Sequence, residues 1–242
     1  MVDYKEALEK PFTDFRKLLI GVLLSIIPII NWFAVGFEMT CSNVGRIKSK
    51  KMPEWKDFGD LFKKGFFNFA IAFIYFIPSV LILVLSAGKI FLNALNTIPL
   101  QQLQAAATDE ARAAILQPII QGMVPSLISV LPLVIIALLL SILIIYIIPI
   151  AVLSYLENER FSDAFKIKEI FRKAFTGKYF VMWLLVMVLS ALINGLFRII
   201  PYIGDAISAF IIGVIAFSLI GQVYLELSEK QKPAKPSKKR RH

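Results

Sequence analysis

Most basic residues of this chain lie in four stretches, and long apolar runs separate these stretches. They hold 24 of the 27 Lys and Arg residues and extend from Lys5 to Lys17, Arg46 to Lys64, Arg160 to Lys178 and Lys230 to Arg241. Multi-pass membrane proteins concentrate Lys and Arg in their cytoplasmic loops. The intervening segments, near Pro28, at 93–122 and from Pro201 to Asp205, contain only Arg112 as a basic residue. The pattern predicts a multi-pass cell-membrane protein with both termini in the cytoplasm.

The composition agrees with a membrane protein. Hydrophobic residues make up 57% of the chain, and its mean hydropathy is +0.71. A formal net charge of +10 in a soluble chain would suggest nucleic acid as a partner. Here the charge flanks apolar runs, so anionic lipid headgroups are the predicted partner and nucleic acid is not.

The apolar runs predict an all-α integral membrane bundle of about six membrane helices. The first run begins at Leu18 and is interrupted at Pro28 and Asn31, which predicts two short helices joined by a turn. About 14 residues reach only about 21 Å, less than the roughly 30 Å of a hydrocarbon core. The pair is therefore either two thin spans or a re-entrant hairpin. No cleavage pattern follows it, so we expect it to be retained rather than removed as a signal peptide.

Four further spans complete the predicted bundle. They run from about Phe67 to Leu92, Val124 to Tyr155, Tyr179 to Ile200 and Ala206 to Leu227. In the external segment, Thr108 is the predicted start of a short surface helix. Residues 1–227 form one polytopic domain in this interpretation. The Lys- and Pro-rich residues 228–242 are predicted to be a disordered cytoplasmic tail.

Two amphipathic helices are predicted to lie in the membrane interface, before the third and fifth spans. The first starts at Pro53, with aromatic residues at helical spacing on one face and charges on the other. The second covers 161–175 and repeats this pattern. The predicted contacts with lipid headgroups are Trp55, Lys56, Lys63, Lys64, Lys166, Lys168, Arg172 and Lys173.

These features carry a resemblance to a known family. The proline-broken hairpin, the stretch Pro53-Glu54-Trp55-Lys56-Asp57-Phe58, the stretch Leu61-Phe62-Lys63-Lys64-Gly65-Phe66 and four more spans resemble an archaeal and bacterial membrane-protein family catalogued only as a domain of unknown function. The segment from Phe161 to Phe175 is more loosely similar to membrane domains that accompany some glycerophosphodiester phosphodiesterases. The resemblance implies an architecture and a prokaryotic cell membrane. It implies no chemistry for any residue.

Enzymatic chemistry finds little support in the sequence. The only histidine is the last residue, His242, and the only cysteine is Cys41. Nucleophilic catalysis with an imidazole base and zinc binding both need such residues close together in the fold. No phosphate-binding or dinucleotide-binding glycine motif is present either. We therefore predict no catalytic residues, no metal site and no cofactor.

An acidic residue within an apolar helix is the strongest candidate for a functional site, because an ionisable group in hydrocarbon is costly. Glu38, Cys41, Ser42 and Gly45 are predicted to share one small, polar helical face. Two interpretations remain open at this point. The face is either a wet pathway in which Glu38 binds a proton or cation, or a close-packed helix contact in which Glu38 is hydrogen-bonded or neutral.

A second polar group is predicted on the external side, where Asn194 and Arg198 precede the turn at Pro201 and Asp205 follows it. Either Arg198 pairs with Asp205 across that turn, or it reaches Glu38 inside the bundle. Ala209 and Gly213 provide a small-xxx-small packing surface on the last span. The sequence leaves both pairings open.

The sequence favours a non-enzymatic, lipid-interacting scaffold or accessory protein. The alternative is a transporter or channel for a small solute or ion, based on Glu38 and on a weak internal repeat. A membrane-embedded enzyme ranks last. A second copy of the chain or another membrane protein is a further candidate partner.

Overall fold

The computed structural model describes residues 2–45, 49–97, 104–106, 108–201 and 203–231, and no β-strand occurs among them. The helices are α1 (Tyr4–Glu9), α2 (Phe15–Ser25), α3 (Asn31–Thr40), α4 (Phe58–Thr97), α5 (Asp109–Asn158), α6 (Ile167–Ala174), α7 (Gly177–Phe197) and α8 (Ile203–Gln231). Short 3₁₀ helices cover Lys10–Phe12 and Phe161–Phe165. The predicted all-α fold is confirmed for this part of the chain.

Four of the described helices are long and apolar enough to cross a membrane. The candidate spans are Phe58–Leu92, Leu127–Asn158, Gly177–Phe197 and Ile203–Lys230. They correspond to the last four predicted spans. The predicted amino-terminal pair is present as α2 and α3, joined by a turn at 26–30. With 11 and 10 residues, α2 and α3 are only about 16 Å and 15 Å long, and neither is among the four.

The chain divides into two compact units. The first comprises residues up to 72 and from 146 onwards, and the second comprises residues 73–145. In the second unit, the Ser79 hydroxyl donates to the Ala137 carbonyl at 3.4 Å, which joins the α4 and α5 segments of that unit. In the first unit, α8 contacts α1, α2, α3 and α7. All the candidate-site residues discussed below belong to the first unit.

The hydrophobic core of the first unit lies between the amino-terminal hairpin and α8. It is built from Val22, Ala34, Phe37, Cys41, Met52, Leu61, Ala206, Phe210 and Val214. Glycines allow the helices to approach closely. A Cβ on Gly21 of α2 would lie 2.5 Å from Cε1 of Phe210, so the absence of a side chain lets the aromatic ring of α8 lie against α2.

The start of α4 differs from the sequence prediction. The predicted helix start at Pro53 is wrong, because α4 begins at Phe58 and Asp57 adopts a positive φ of 52°. The reason is tertiary. The Trp55 ring stacks on Phe37 at 4.0 Å between centroids, and its indole Nε1 donates to the Lys17 carbonyl at 3.2 Å. These contacts hold the preceding segment in a non-helical conformation.

Phe58 to Phe66 is also the first part of α4, since no break separates it from the apolar run that follows. The predicted separate interfacial helix is therefore absent there. The second predicted interfacial segment is different, because α6 is a distinct helix. It lies between the 3₁₀ turn at Phe161–Phe165 and the start of α7 at Gly177.

Helix α5 begins where the sequence predicted. The Thr108 hydroxyl accepts a hydrogen bond from the Ala111 amide at 3.2 Å and caps the helix. The helix then continues to Asn158 without interruption, so it is not a separate surface helix. At the other end of the chain, α8 extends through Gln231, four residues into the predicted tail. The rest of that tail lies outside the described residues.

Candidate functional site

Glu38 is the central residue of the candidate site. It lies in the last turn of α3, and only 7% of its surface is exposed. Its carboxyl group packs against Gly213 of α8, where a Cβ would lie 2.8 Å from Oε1 and closer still to Oε2. Gly213 thus leaves the space that the carboxyl group fills. Among the described residues, none forms a hydrogen bond or an ion pair with this carboxyl group.

The predicted polar face around Glu38 is only partly helical. Helix α3 ends at Thr40, and Gly45 has a positive φ of 93°, so Ser42 and Gly45 do not lie on a continuation of the helix. The residues nevertheless remain in the same contact region. Ser42 packs against Gly221, where a Cβ would lie 2.8 Å from the Ser42 Cβ. Helix α3 and the turn after it therefore run along α8, with Glu38 beside Gly213 and Ser42 beside Gly221.

Two donors meet at the Cys41 carbonyl, at the end of α3. The Lys10 ammonium donates to it at 2.9 Å, and the Ser218 hydroxyl of α8 donates to it at 3.2 Å. The last carbonyls of a helix lack partners within the helix. A cation at this position is also favoured by the helix dipole. Lys10 and Ser218 therefore tie the end of α3 to the amino-terminal segment and to α8.

Lys10 is a site residue that sequence reasoning missed. Only 1% of its surface is exposed, and its ammonium lies 4.0 Å from a Glu6 carboxylate oxygen. Burial lowers the pKa of Lys10, although Cys41 and Glu6 oppose this shift. Its burial follows from its position in the fold. Lys10 follows the buried Ala7 by three residues, which places both on one face of the α1 segment.

A second buried polar cluster joins α5, α6 and α8. The Tyr224 hydroxyl donates to Glu157 at 2.7 Å and lies 3.3 Å from the Ser154 hydroxyl. The Lys173 ammonium lies 3.8 Å from the Tyr224 ring centroid and 3.9 Å from Glu157. Burial lowers the pKa of Lys173, and the Glu157 carboxylate opposes the shift. The cluster therefore holds a cation inside the protein through an aromatic ring and a carboxylate.

Three of the predicted lipid contacts have partners within the protein. Lys173 is buried against Tyr224. Lys64 is buried and pairs with Asp60 at 2.6 Å. Trp55 is half-buried and stacks on Phe37. In each case a partner within the protein takes the place of the expected headgroup.

The other predicted headgroup contacts are exposed: Lys56, Lys63, Lys166, Lys168 and Arg172. Lys166 also pairs with the buried Asp163 at 2.9 Å, and this hydrogen bond lowers the pKa of the Asp163 carboxyl. Lys63 lies 5.8 Å from the Phe67 ring centroid. This set keeps cationic groups at the surface, where lipid can reach them.

The external polar group is not assembled. Asn194, Arg198 and Asp205 are exposed, and the described residues contain no ion pair between Arg198 and either Asp205 or Glu38. Neither of the two pairings that the sequence left open is present among the described residues. The small-xxx-small surface is also only half present, because Gly213 packs against Glu38 whereas Ala209 is exposed.

Within the part of the chain that the structure describes, no group of three or more His, Cys, Asp or Glu residues is arranged to hold a metal ion. Neither the search of curated proteins nor that of solved structures found a match. The looser similarity to membrane domains of glycerophosphodiester phosphodiesterases therefore stays an expectation. The family comparison does give a match, and it covers residues 20–224. The chain therefore belongs to DUF4013, a family of proteins of unknown function.

Proposed function

We propose that this protein is a non-enzymatic, multi-pass protein of the cell membrane that binds anionic lipid headgroups on its cytoplasmic side. The positions of the chain ends support this orientation. The Asp3 amide donates to the Gln222 side chain at 2.6 Å, so the start of the chain lies beside the last part of α8. Four spans would return the chain to its starting side, and the clustered Lys and Arg residues support the proposal that this side is cytoplasmic.

The amino-terminal hairpin adds two shorter membrane helices to this arrangement. Ile26, Ile27 and Ile29 are exposed at its tip, although all three are large apolar residues. Lipid is a more favourable surrounding than water for such a tip. Phe210 lies beside Gly21 and Gly213 beside Glu38, so the hairpin follows α8 through the apolar layer. This interpretation keeps six membrane helices, with the first two as a short hairpin.

The surface of α6 is the observation that carries the lipid proposal. Its buried side is formed by Ile170, Lys173 and Ala174. The exposed side combines basic and apolar groups, because Ile167 is 47% exposed and lies next to the exposed Lys168. Phe175, just after the helix, is 61% exposed. A helix that presents apolar and cationic groups together is typical of the membrane interface, where both acyl chains and headgroup phosphates are within reach.

A lipid-binding measurement on a matched pair of variants tests this proposal. The protein is placed in nanodiscs of phosphatidylcholine with increasing phosphatidylglycerol, and retained lipid is counted by native mass spectrometry after release. We expect the wild type to retain phosphatidylglycerol preferentially and Lys168→Gln to retain less. Lys89→Gln is the control, because Lys89 is also exposed but lies outside the basic stretches. Equal retention of both lipids by the wild type, or equal losses in both variants, would contradict the proposal.

Transport of a small solute or ion is the second candidate function, and Glu38 favours it. A buried carboxyl group without a partner in a membrane protein is a candidate for a transported ion or proton. The test is flux across sealed proteoliposomes with wild type and Glu38→Gln. Flux that depends on Glu38 would place transport ahead of a purely lipid-binding role.

A further inference from the structure

The depth of Glu38 in the bundle is the starting observation. The stretch of α8 from Ala206 to Gly221 lacks charged residues and is bounded by Asp205 and Gln222. Gly213, which faces the Glu38 carboxyl group, lies about 10 Å along the helix axis from Ala206 and about 12 Å from Gly221. Glu38 thus faces the interior of an uncharged stretch of α8, away from the charged residues that bound it.

No counter-charge accompanies Glu38 at this depth. The ionisable groups on the elements packed around it are either paired with one another or placed at helix ends. Among the described residues they include Lys10 with Glu6, Lys17 with Asp14 and Glu54, Lys64 with Asp60, and Glu226 with Lys178. Arg16 and Lys63 are exposed near the starts of α2 and α4, and Asp205, Glu229 and Lys230 are exposed near the ends of α8. An ionised carboxylate without a partner is costly in such a place, whereas the neutral acid costs far less. The surroundings therefore favour Glu38 in its protonated form.

A proton fits this site better than a metal cation. Na⁺ or Ca²⁺ takes several oxygen ligands, and Ca²⁺ takes six to eight. At Glu38 the facing residue is Gly213, which has no side chain, and the hydroxyls of Thr40 and Ser42 bond to the carbonyls of their own helix. A proton needs only one carboxylate oxygen. The surroundings of Glu38 therefore favour a proton over a metal cation.

A strip of polar groups lies between Glu38 and the chain start, although none of these groups hydrogen-bonds to the Glu38 carboxyl group. Cys41 follows Glu38 by three residues, or about 4.5 Å along the helix. Its carbonyl accepts from Ser218 and from Lys10, and Lys10 lies 4.0 Å from Glu6, a partly exposed residue near the chain start. Lys10, Cys41 and Ser218 are all 2% exposed or less. The polar groups therefore lie on the side of Glu38 that faces the chain start.

We propose that Glu38 is an exchangeable proton-binding site inside the bundle, which water reaches from the end of the bundle where Glu6, Lys10 and Ser218 lie. The proton comes from bulk water and returns to it, so binding converts a carboxylate to a carboxylic acid and needs no further reactant. This inference goes beyond lipid binding and does not require that a solute crosses the membrane. It also assigns a role to the buried Lys10, which the lipid proposal leaves unexplained.

Infrared spectroscopy of the protein in lipid membranes tests the site directly. The difference spectrum between wild type and Glu38→Gln isolates the carbonyl band of a protonated Glu38. We expect this band to be present at neutral pH, to shift in D₂O as the proton exchanges, and to disappear at high pH. Ser218→Ala should keep the band but slow its exchange several-fold. Ser208→Ala is the control, because Ser208 is also buried in α8 but bonds to the Asp205 carbonyl.

A second measurement does not depend on any variant folding. Dicyclohexylcarbodiimide is an apolar reagent that modifies protonated carboxyl groups, and peptide mass spectrometry locates the product. We expect labelling of Glu38 in wild-type nanodiscs that falls as the pH rises and is unchanged by Na⁺ or K⁺ at constant pH.

Four results would overturn the proposal. They are an ionised Glu38 at neutral pH, a carbonyl band that does not exchange in D₂O, protection from the carbodiimide by Na⁺ or K⁺, and equal exchange rates in Ser218→Ala and wild type. A carbonyl band that does not exchange would leave an inert buried acid. Protection by Na⁺ or K⁺ would assign a metal cation instead. Equal exchange rates in Ser218→Ala and wild type would remove the polar strip as the route.

Discussion

Helices α3 and α4 cross where one glycine of each helix contacts the backbone of the other helix. This crossing gives the sharpest test of the fold. A Cβ on Gly36 would lie 2.6 Å from the carbonyl carbon of Leu61, and one on Gly65 would lie 2.6 Å from the carbonyl carbon of Trp32. Ordinary carbon–carbon contacts are about 3.5–4.0 Å. Each added methyl group is therefore about 1 Å too close. Backbone atoms cannot rotate away, so the helices would have to separate.

The expected cost follows from this displacement. Overpacking of a close contact lowers the unfolding free energy by about 1–3 kcal/mol, whereas replacing a helical glycine by alanine raises it by about 0.5–1 kcal/mol. We expect Gly65→Ala to lose a net of about 1–2 kcal/mol of unfolding free energy. Separation would also loosen the contacts of Trp32 with Phe62 and Phe66, both 5.4 Å between ring centroids.

Gly59 provides the matched control on the same helix. A Cβ at Gly59 would have nothing within 4 Å, so Gly59→Ala should be neutral or stabilise the protein by up to about 1 kcal/mol. The assay is reversible unfolding in mixed micelles, followed by circular dichroism and tryptophan fluorescence. If Gly65→Ala proved as stable as Gly59→Ala, the close approach of α3 and α4 would be refuted.

Three other predictions concern buried groups. Cys41 is fully buried, so a membrane-impermeant thiol reagent should label it only after denaturation; labelling of the folded protein would contradict the packing around it. Tyr224→Phe should lower the unfolding free energy by about 1.5–3 kcal/mol, because it removes a hydrogen bond to the Glu157 carboxylate but keeps the ring beneath Lys173. An unchanged unfolding curve would mean that this hydrogen bond contributes nothing to stability. Burial lowers the pKa of Lys10 in the folded state below its ordinary 10.5. Between the folded-state pKa and 10.5, the folded state binds fewer protons than the unfolded state. The unfolding free energy should therefore rise with pH up to about 10.5. Lys10→Met should flatten that rise when unfolding is measured from pH 7 to 10.5, and an identical slope in both proteins would disprove the link.

The features that sequence reasoning predicted correctly are those that depend on neighbouring residues. Long apolar runs predicted the four candidate spans, and Thr108 predicted the start of α5, because hydropathy and capping act over one or a few turns. The interruption at Pro28 likewise predicted the turn between α2 and α3. Local signals of this kind can be read from a single chain.

The errors arose where a distant segment decides the outcome. Trp55 was predicted to lie in a helix, but Phe37 and the Lys17 carbonyl, both far away in sequence, hold it outside one. Lys10 and Lys173 were assigned to basic surface stretches, yet tertiary partners bury both. No periodicity in the sequence identifies a carbonyl group or an aromatic ring that approaches from another helix.

Glu38 was predicted as a site, but its environment was not, and the difference has a measurable consequence. Arg198, one of the two partners that the sequence left open, is exposed and forms no ion pair with Glu38, so among the described residues no counter-charge offsets the cost of burying this carboxyl group. A methionine has a similar length and no polar group to desolvate. Glu38→Met should therefore raise the unfolding free energy by about 1–3 kcal/mol, while abolishing proton binding at this position. A loss of stability instead would mean that the carboxyl group has a partner in the membrane, and the argument for an exchangeable proton would fail with it.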